Sequence, residues 1–312
     1  VDIGMVGLGR MGAGLTRRLL KSGHRVVAFD RSPETIEAVA ADGAEPAATL
    51  EQLRDKLEPP RTVWVMVPSG APTQEAIDRL AELLDPGDVL IDGGNSHFRD
   101  SVARARALAA KRIAFLDVGT SGGVWGLKEG FCLMVGGPEH AFAQAEPAFR
   151  TLAPEGGHAH VGPSGAGHYV KMVHNGIEYG LLQAYAEGFE ILHASDYDLD
   201  LHQVAELWRH GSVVRSWLLD LIASAYAKDP ELAGFSGWVE DSGEGRWTVQ
   251  EALEKDVPAP VINLSLIMRL RSRVEDSYAG RLISALRNEF GGHPVHTNEF
   301  GGHPAHRTEV PR

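Results

Sequence analysis

The spacing of apolar positions changes along the chain, and each change marks a different kind of element. Residues 2–6 form a short apolar run that predicts a strand; glycines follow, then an amphipathic stretch from Arg10 to Lys21 that predicts a helix. Arg25 to Asp30 reads as a second strand, ending in an acid. Further strands are expected at Thr62–Val67, Val89–Ile91 and Ile113–Leu116, separated by helical stretches at 33–41, 72–84 and 97–111. Such alternation predicts a parallel sheet with helices on both faces. Gly156-Gly157 and Gly162-Pro163 end it. From Ser164 to about Asn288 the pattern is helical, with breaks near Asp196–Asp200, Asp229–Arg246 and Val257–Pro260. The expected organisation is therefore an α/β domain over 1–162, an all-α domain over 163–290 and an extended tail over 291–312.

Within the second part, Gly162 to Tyr197 reads as one long helix. Lys171, His174, Asn175, Glu178 and Tyr179 share one of its faces, because separations of three, four, seven and eight residues fall within a roughly 140° arc. A face that only packed on a core would be leucine-like. These groups donate, accept or move protons, which makes the face a candidate for chemistry. Tyr185, Trp208 and Trp217 have spacings more typical of core packing.

Composition narrows the function classes. With 43% hydrophobic and 23% charged residues in 312, the chain can build large cores. A net charge of −12 argues against nucleic acid and against an anionic membrane surface as partners. No run approaches the roughly 20 apolar residues of a membrane span, and no secretory signal precedes the first strand. The one cysteine, Cys132, cannot form an intramolecular disulfide, which suits the cytoplasm; it lies in the apolar run Phe131–Val135 and is expected to be buried. The tail repeats Asn-Glu-Phe-Gly-Gly-His-Pro at 288–294 and 298–304. Its histidines (His293, His296, His303, His306) have no supporting ligand set elsewhere, so no metal is expected.

Gly7-Leu8-Gly9-Arg10-Met11-Gly12 is a G-x-G-x-x-G between a strand and a helix. In that setting Gly7 permits the tight turn, Gly9 lets backbone approach a pyrophosphate, and Gly12 lets helix pack on strand. The helix N-terminus offers free N–H groups to the phosphates. Asp30, 18 residues beyond Gly12, is near the spacing at which an acid meets the ribose hydroxyls. The first domain is thus expected to be Rossmann-like and to bind a dinucleotide.

Three more segments converge on one family: Asp92-Gly93-Gly94-Asn95-Ser96, Val118-Gly119-Thr120-Ser121-Gly122-Gly123, and the helix with Gly167, Lys171, His174, Asn175 and Glu178. With Arg246-Trp247-Thr248, these resemble the decarboxylating 6-phosphogluconate dehydrogenases, in a short-chain form, within the β-hydroxyacid dehydrogenase superfamily. The resemblance implies Lys171 as general base and Glu178 as general acid. It implies that Asn95, Ser121, Gly122, Gly123, His174 and Asn175 hold the sugar acid, and that Tyr179 and Arg269 contact its phosphate. Arg269 stands at the family's 23-residue spacing from Arg246. Arg287 and His293 match a pair that the tail delivers to the neighbouring subunit; in the repeat, Thr297 replaces the arginine. Leu8, Arg10, Met11, Arg31, Val67, Pro68 and Asn95 join the three glycines and Asp30 as implied cofactor contacts. Long members carry a phosphate-contacting lysine where this chain has Ser242, and Asp30-Arg31-Ser32 replaces an asparagine-arginine-threonine run suited to a 2′-phosphate.

The implied activity is oxidation of 6-phosphogluconate to ribulose 5-phosphate and carbon dioxide in the pentose phosphate pathway. NAD is the expected cofactor, NADP the less favoured one, and a homodimer, possibly a dimer of dimers, the expected assembly. The alternative is a dehydrogenase of an unphosphorylated β-hydroxyacid such as 3-hydroxyisobutyrate. That chemistry needs neither Glu178 nor the Arg269, Arg287 and His293 set.

Overall fold

The computed structural model describes residues 1–291. The first part alternates as expected: β1 (Asp2–Val6), α1 (Arg10–Lys21), β2 (Arg25–Phe29), α2 (Pro33–Ala40), β3 (Glu45–Pro46), α3 (Leu50–Asp55), β4 (Thr62–Val65), α4 (Ala71–Leu83), β5 (Val89–Asp92), α5 (Phe98–Ala110) and β6 (Ala114–Ser121). It continues past a short 3-10 turn through α6 (Gly126–Glu129), β7 (Cys132–Gly136), α7 (Glu139–Leu152) and β8 (His158–Gly162). Then come α8 (Ala166–His193), α9 (Leu201–Trp208), α10 (Trp217–Lys228), α11 (Glu244–Glu254), α12 (Pro260–Arg271) and α13 (Tyr278–Gly291).

The strands form one sheet in the order β3-β2-β1-β4-β5-β6-β7-β8, parallel throughout except for the antiparallel β6–β7 pair. Alternate residues feed two cores: Met5, Trp64, Ile91 and Val118 in one, Val27, Val65, Leu90 and Phe115 in the other. Both faces are covered, which is why the strands read as continuous apolar runs. A third cluster, Phe189, Ala205, Leu219, Ala223 and Tyr226, joins α8 to α9 and α10. The sheet reverses its winding between β1 and β4, and ligands of such folds bind at that carboxyl edge.

Several expectations need correction. The long helix is 166–193, not 162–197: Gly162 ends β8, and Gly165 stands in left-handed backbone at φ 96° just before the first turn. β3, α3, β7, α7 and β8 did not stand out in the sequence, β3 because two residues carry no periodicity and β7 because a short apolar run has no diagnostic period. The break expected over 229–246 closes earlier, since α11 starts at Glu244 and carries Arg246. Cys132 is exposed, not buried: it opens β7 opposite Ser121, at the open end of the β6–β7 pair. Trp217 is also not a core residue; it is 47% exposed, whereas Trp208 packs edge-on against Phe189. Among the described residues no helix is long and apolar enough to cross a membrane, and no cluster of three or more His, Cys, Asp or Glu could hold a metal ion.

Candidate active site

The cofactor loop is built by the absence of side chains. At Gly7 the backbone has φ 92°, and a Cβ would meet the Met66 carbonyl oxygen at 2.5 Å. At Gly12 a Cβ would meet the Gly7 oxygen at 2.0 Å, so the α1 turn rests directly on the loop. Gly9 is different: nothing lies within 4 Å of its Cβ position, which leaves room for a ligand. It caps α1 without any side-chain hydrogen bond, so the first-turn N–H groups are left to solvent or an anion. Asp30 ties the loop to β2: its Oδ2 accepts from Leu8 N at 2.7 Å and its Oδ1 from Ser32 N at 2.9 Å. Arg31 is exposed beside it.

The 92–96 loop is held from below. Asp92, fully buried, accepts from Ser96 Oγ at 2.7 Å, Gly94 N at 3.1 Å and Arg104 Nη1 at 2.9 Å. Gly93 allows Trp64 to pass beneath, where a Cβ would meet the indole nitrogen at 2.1 Å. Asn95 is left exposed on the rim.

α8 packs on the sheet with almost no gap. A Cβ on Gly167 would meet the Asp117 carbonyl oxygen at 2.2 Å, and one on Gly119 would meet Lys171 Cβ at 2.4 Å. The buried Asp117 carboxylate accepts from Gly165 N at 2.7 Å and His168 N at 2.9 Å, which secures the helix N-terminus. Asp117 was not singled out in the sequence; an acid inside an apolar strand was the available signal.

Between these elements lies a cleft of about 1410 Å³. Gly9, Arg10, Met11, Gly12, Val67, Pro68, Asn95, Ser121, Gly122, Gly123, Lys171, His174 and Glu178 all line it. One cavity therefore joins the dinucleotide loop to the proton-bearing helix face. Lys171 is 7% exposed, and Nζ donates to Asn175 Oδ1 at 2.7 Å. Burial holds its pKa below that of a free lysine, opposed by the charges of Glu244, Glu178 and Cys132. His174 Nδ1 lies 2.9 Å from the same Asn175 oxygen. Since a carbonyl oxygen only accepts, this contact assigns the proton to Nδ1 and leaves Nε2 bare in the neutral ring.

Tyr179 continues the Lys171–Asn175 stripe of the helix but, like Arg269, does not line the cleft; the Arg269 guanidinium carbon stands 3.3 Å from the Tyr179 ring centroid. The Tyr179 hydroxyl lies 3.2 Å from both Ser242 Oγ and Asp241 Oδ1, and Ser242 reaches the cleft wall. Arg246 is paired with Asp241 at 2.8 Å. Gly7, Leu8, Asp30 and Arg31 do not line this cleft; Leu8 lines a neighbouring pocket with Gly9 and Arg10. Arg287 is exposed on α13 and is not brought to the cleft; His293 lies outside the described residues. Glu244 was missed altogether. It is 3% exposed, its carboxylate accepts from Asn175 Nδ2, and burial pushes its carboxyl up to about 7. Its glycine-flanked position, Gly243-Glu244-Gly245, was the only local signal.

Residues 2–162 match the model for the NAD binding domain of 6-phosphogluconate dehydrogenase, and residues 167–195 match that for the C-terminal domain of the same enzyme. The chain is 49% identical over 298 residues to an NAD(+)-dependent, decarboxylating 6-phosphogluconate dehydrogenase of Haloferax volcanii, covering 95% of this chain and 98% of that one. The chain belongs to the 6-phosphogluconate dehydrogenase family. A putative 6-phosphogluconate dehydrogenase of Bacillus subtilis is 44% identical over 293 residues, covering 94% of this chain and 98% of its own. Among solved structures, Plasmodium falciparum 6-phosphogluconate dehydrogenase superposes with a TM-score of 0.81 at 28% identity, covering 97% of this chain and 67% of that one. The family's glycine loop and helix face are the features that line the cleft here.

The glycine contacts give a testable contrast. Gly9→Ala should fold normally, with stability changed by no more than about 0.5 kcal/mol as at other open sites, yet lose dinucleotide affinity. Gly12→Ala should lose stability as well, by roughly 1–3 kcal/mol for forced overpacking. Urea unfolding and cofactor titration measure the two effects; equal behaviour of the two variants would contradict the loop geometry.

Proposed function

We propose that this protein catalyses the oxidative decarboxylation of 6-phosphogluconate to ribulose 5-phosphate and carbon dioxide, with NAD as hydride acceptor, as a cytoplasmic homodimer. The observation that carries the reading is the single cleft containing the glycine loop together with Lys171, His174 and Glu178. The near-full-length likeness to an NAD(+)-dependent, decarboxylating enzyme supports it.

The chemistry requires two proton transfers at different atoms. Lys171 takes the proton from the C3 hydroxyl; burial lowers its pKa and makes the amine easier to deprotonate than a free lysine. When bound, the oxidised nicotinamide supplies the hydride acceptor. The resulting ketone is β to the carboxylate, so the C1–C2 bond breaks as carbon dioxide leaves and its electron pair forms an enediolate. Lys171, now an ammonium, donates to the oxygen where charge develops. Glu178, one helical turn beyond His174 on the cleft wall, then protonates the carbon that becomes C1 of the product. Ser121, Gly122, Gly123, His174, Asn175 and Asn95 are the proposed contacts of the sugar acid, and Tyr179 with Arg269 those of its phosphate. An unphosphorylated β-hydroxyacid would leave the latter pair without a role.

The expected outcome is equal amounts of NADH and carbon dioxide from 6-phosphogluconate, and little turnover of unphosphorylated acids. Lys171→Met should abolish hydride transfer, while Glu178→Gln should slow the later protonation, with general acid–base losses of about 10²–10⁴-fold. Single-turnover records of NADH and of carbon dioxide separate the steps. Near-normal NADH formation by Lys171→Met would remove the base assignment.

Cofactor choice rests on Asp30. Its carboxylate is held at the strand end by Leu8 and Ser32 and has lone pairs left for ribose hydroxyls. A 2′-phosphate would meet a fixed anion, at a cost of several kcal/mol before screening. Since about 1.4 kcal/mol is tenfold, kcat/KM should favour NAD by about tenfold or more. Asp30→Asn also weakens the loop tie, so the ratio of NADP to NAD efficiency, rather than either value alone, should rise. Equal efficiency in the unmodified enzyme would overturn the preference.

The dimer reading draws on α12 and α13. Val261, Leu264 and Ile283 are 66%, 60% and 58% exposed, which leaves apolar side chains on these helices for a partner to cover. Arg287 on α13 is free to serve another subunit's cleft, where the substrate phosphate needs cations beyond Arg269. Lys171→Met and Arg287→Ala subunits, each inactive alone, should recover activity when mixed. Continued inactivity after verified subunit exchange would exclude a shared site.

A further inference from the structure

One buried carboxyl group whose charge bears on Lys171, that of Glu244, takes no part in the proposed proton transfers. Glu244 opens α11, and α11 lies against α8 with the same lack of clearance that α8 shows against the sheet. A Cβ on Gly176 would meet Thr248 Cγ2 at 2.6 Å, and one on Gly245 would meet the Tyr179 ring at 2.3 Å. Thr248 Oγ1 bridges the helices, donating to Met172 O at 2.7 Å and lying 2.9 Å from Glu244 O. The Glu244 backbone is therefore fixed relative to Lys171 and Asn175. Its carboxylate accepts from Asn175 Nδ2, and Asn175 Oδ1 accepts from Lys171 Nζ. An amide has two faces and only one orientation works here. Reversed, its oxygen would face a carboxylate and its NH₂ an ammonium.

We infer that Glu244 is a positioning residue for the reaction, one that locks the Asn175 amide with its oxygen toward Lys171 and supplies the negative charge against which that amine gains and loses its proton. The inference rests on Lys171 being the base. Of the groups bearing on the amine, Glu244 comes from α11, Glu178 from α8 and Cys132 from β7, while His174 shares the Asn175 oxygen. Glu244 alone among them is both buried and connected to the amine through a fixed hydrogen bond. Burial raises its own carboxyl to about 7, so its charge changes near neutral pH.

A nearby anion favours the ammonium, so removing the charge lowers the pH at which Lys171 becomes neutral. Two variants divide the two roles. Glu244→Gln keeps an oxygen that can accept from Asn175 but loses the charge; Glu244→Asp keeps the charge but withdraws it by one methylene from the amide. The full-length enzyme without substrate is treated with formaldehyde and a mild reductant, and methylation of Lys171 is followed against pH by peptide mass spectrometry. Glu244→Gln should label roughly tenfold or more faster than the parent at a pH below the parent's midpoint. The acid limb of kcat/KM with 6-phosphogluconate and NAD should move to lower pH with it. Glu244→Asp should keep the labelling midpoint near the parent's and lose about tenfold or more in plateau kcat. An unchanged labelling profile in Glu244→Gln, or full plateau kcat in Glu244→Asp, overturns the assignment. Lack of turnover by the parent enzyme would instead count against the proposed reaction, and the labelling, which needs no substrate, separates the two.

Discussion

The close approach of α8 to the sheet governs the rest of the structure. Gly167 and Gly136 bring helix and strand backbones together, and Gly119 receives the Lys171 stem, with clearances that no side chain could share. The result is a lysine whose amine emerges at the carboxyl edge of a parallel sheet, near the place where a dinucleotide loop opens. Asp117 completes the joint by binding the two N–H groups at the start of α8. A shift of an ångström in this contact would move the amine by as much relative to the cleft it lines.

Having buried a lysine amine, the fold must supply it with partners. Asn175 supplies a neutral acceptor, and Glu244 and Glu178 supply charge. The balance is incomplete by design: burial outweighs the attractive charges and keeps the amine easier to deprotonate than a free lysine. The cost of burying these groups is met by packing elsewhere, in the two apolar layers flanking the sheet. A buried ion-containing network contributes little to stability in itself, but it restricts the orientations of its members.

The cofactor side uses the opposite strategy. There the backbone provides the polar groups, and side chains are removed so that a ligand can reach them. Gly9 has open space, whereas Gly7 and Gly12 have none, so three identical residues do three different jobs in six positions. Asp30 serves the loop first, through Leu8 and Ser32, which fixes its carboxylate at the end of β2.

Which groups share a loop or a helix face was legible from the chain alone. The glycine loop, Asp30, the 92–96 loop and the face of Lys171, His174, Asn175 and Glu178 depend on spacings of a few residues, and periodicity carries that information. The antiparallel entry of β7, which leaves Cys132 exposed beside Ser121, depends on how strands pair across the sheet, and an apolar run does not specify its partner. Trp217 turned out to face a cleft because the wall it lines is assembled from both parts of the chain. Glu244 shows the limit most clearly: it meets Asn175 across 69 residues of chain, and its two flanking glycines name no partner. Sequence determined which groups a helix or loop would present together; tertiary structure decided which of them would lose water and meet, because desolvation and contact belong to the packed whole and not to any segment.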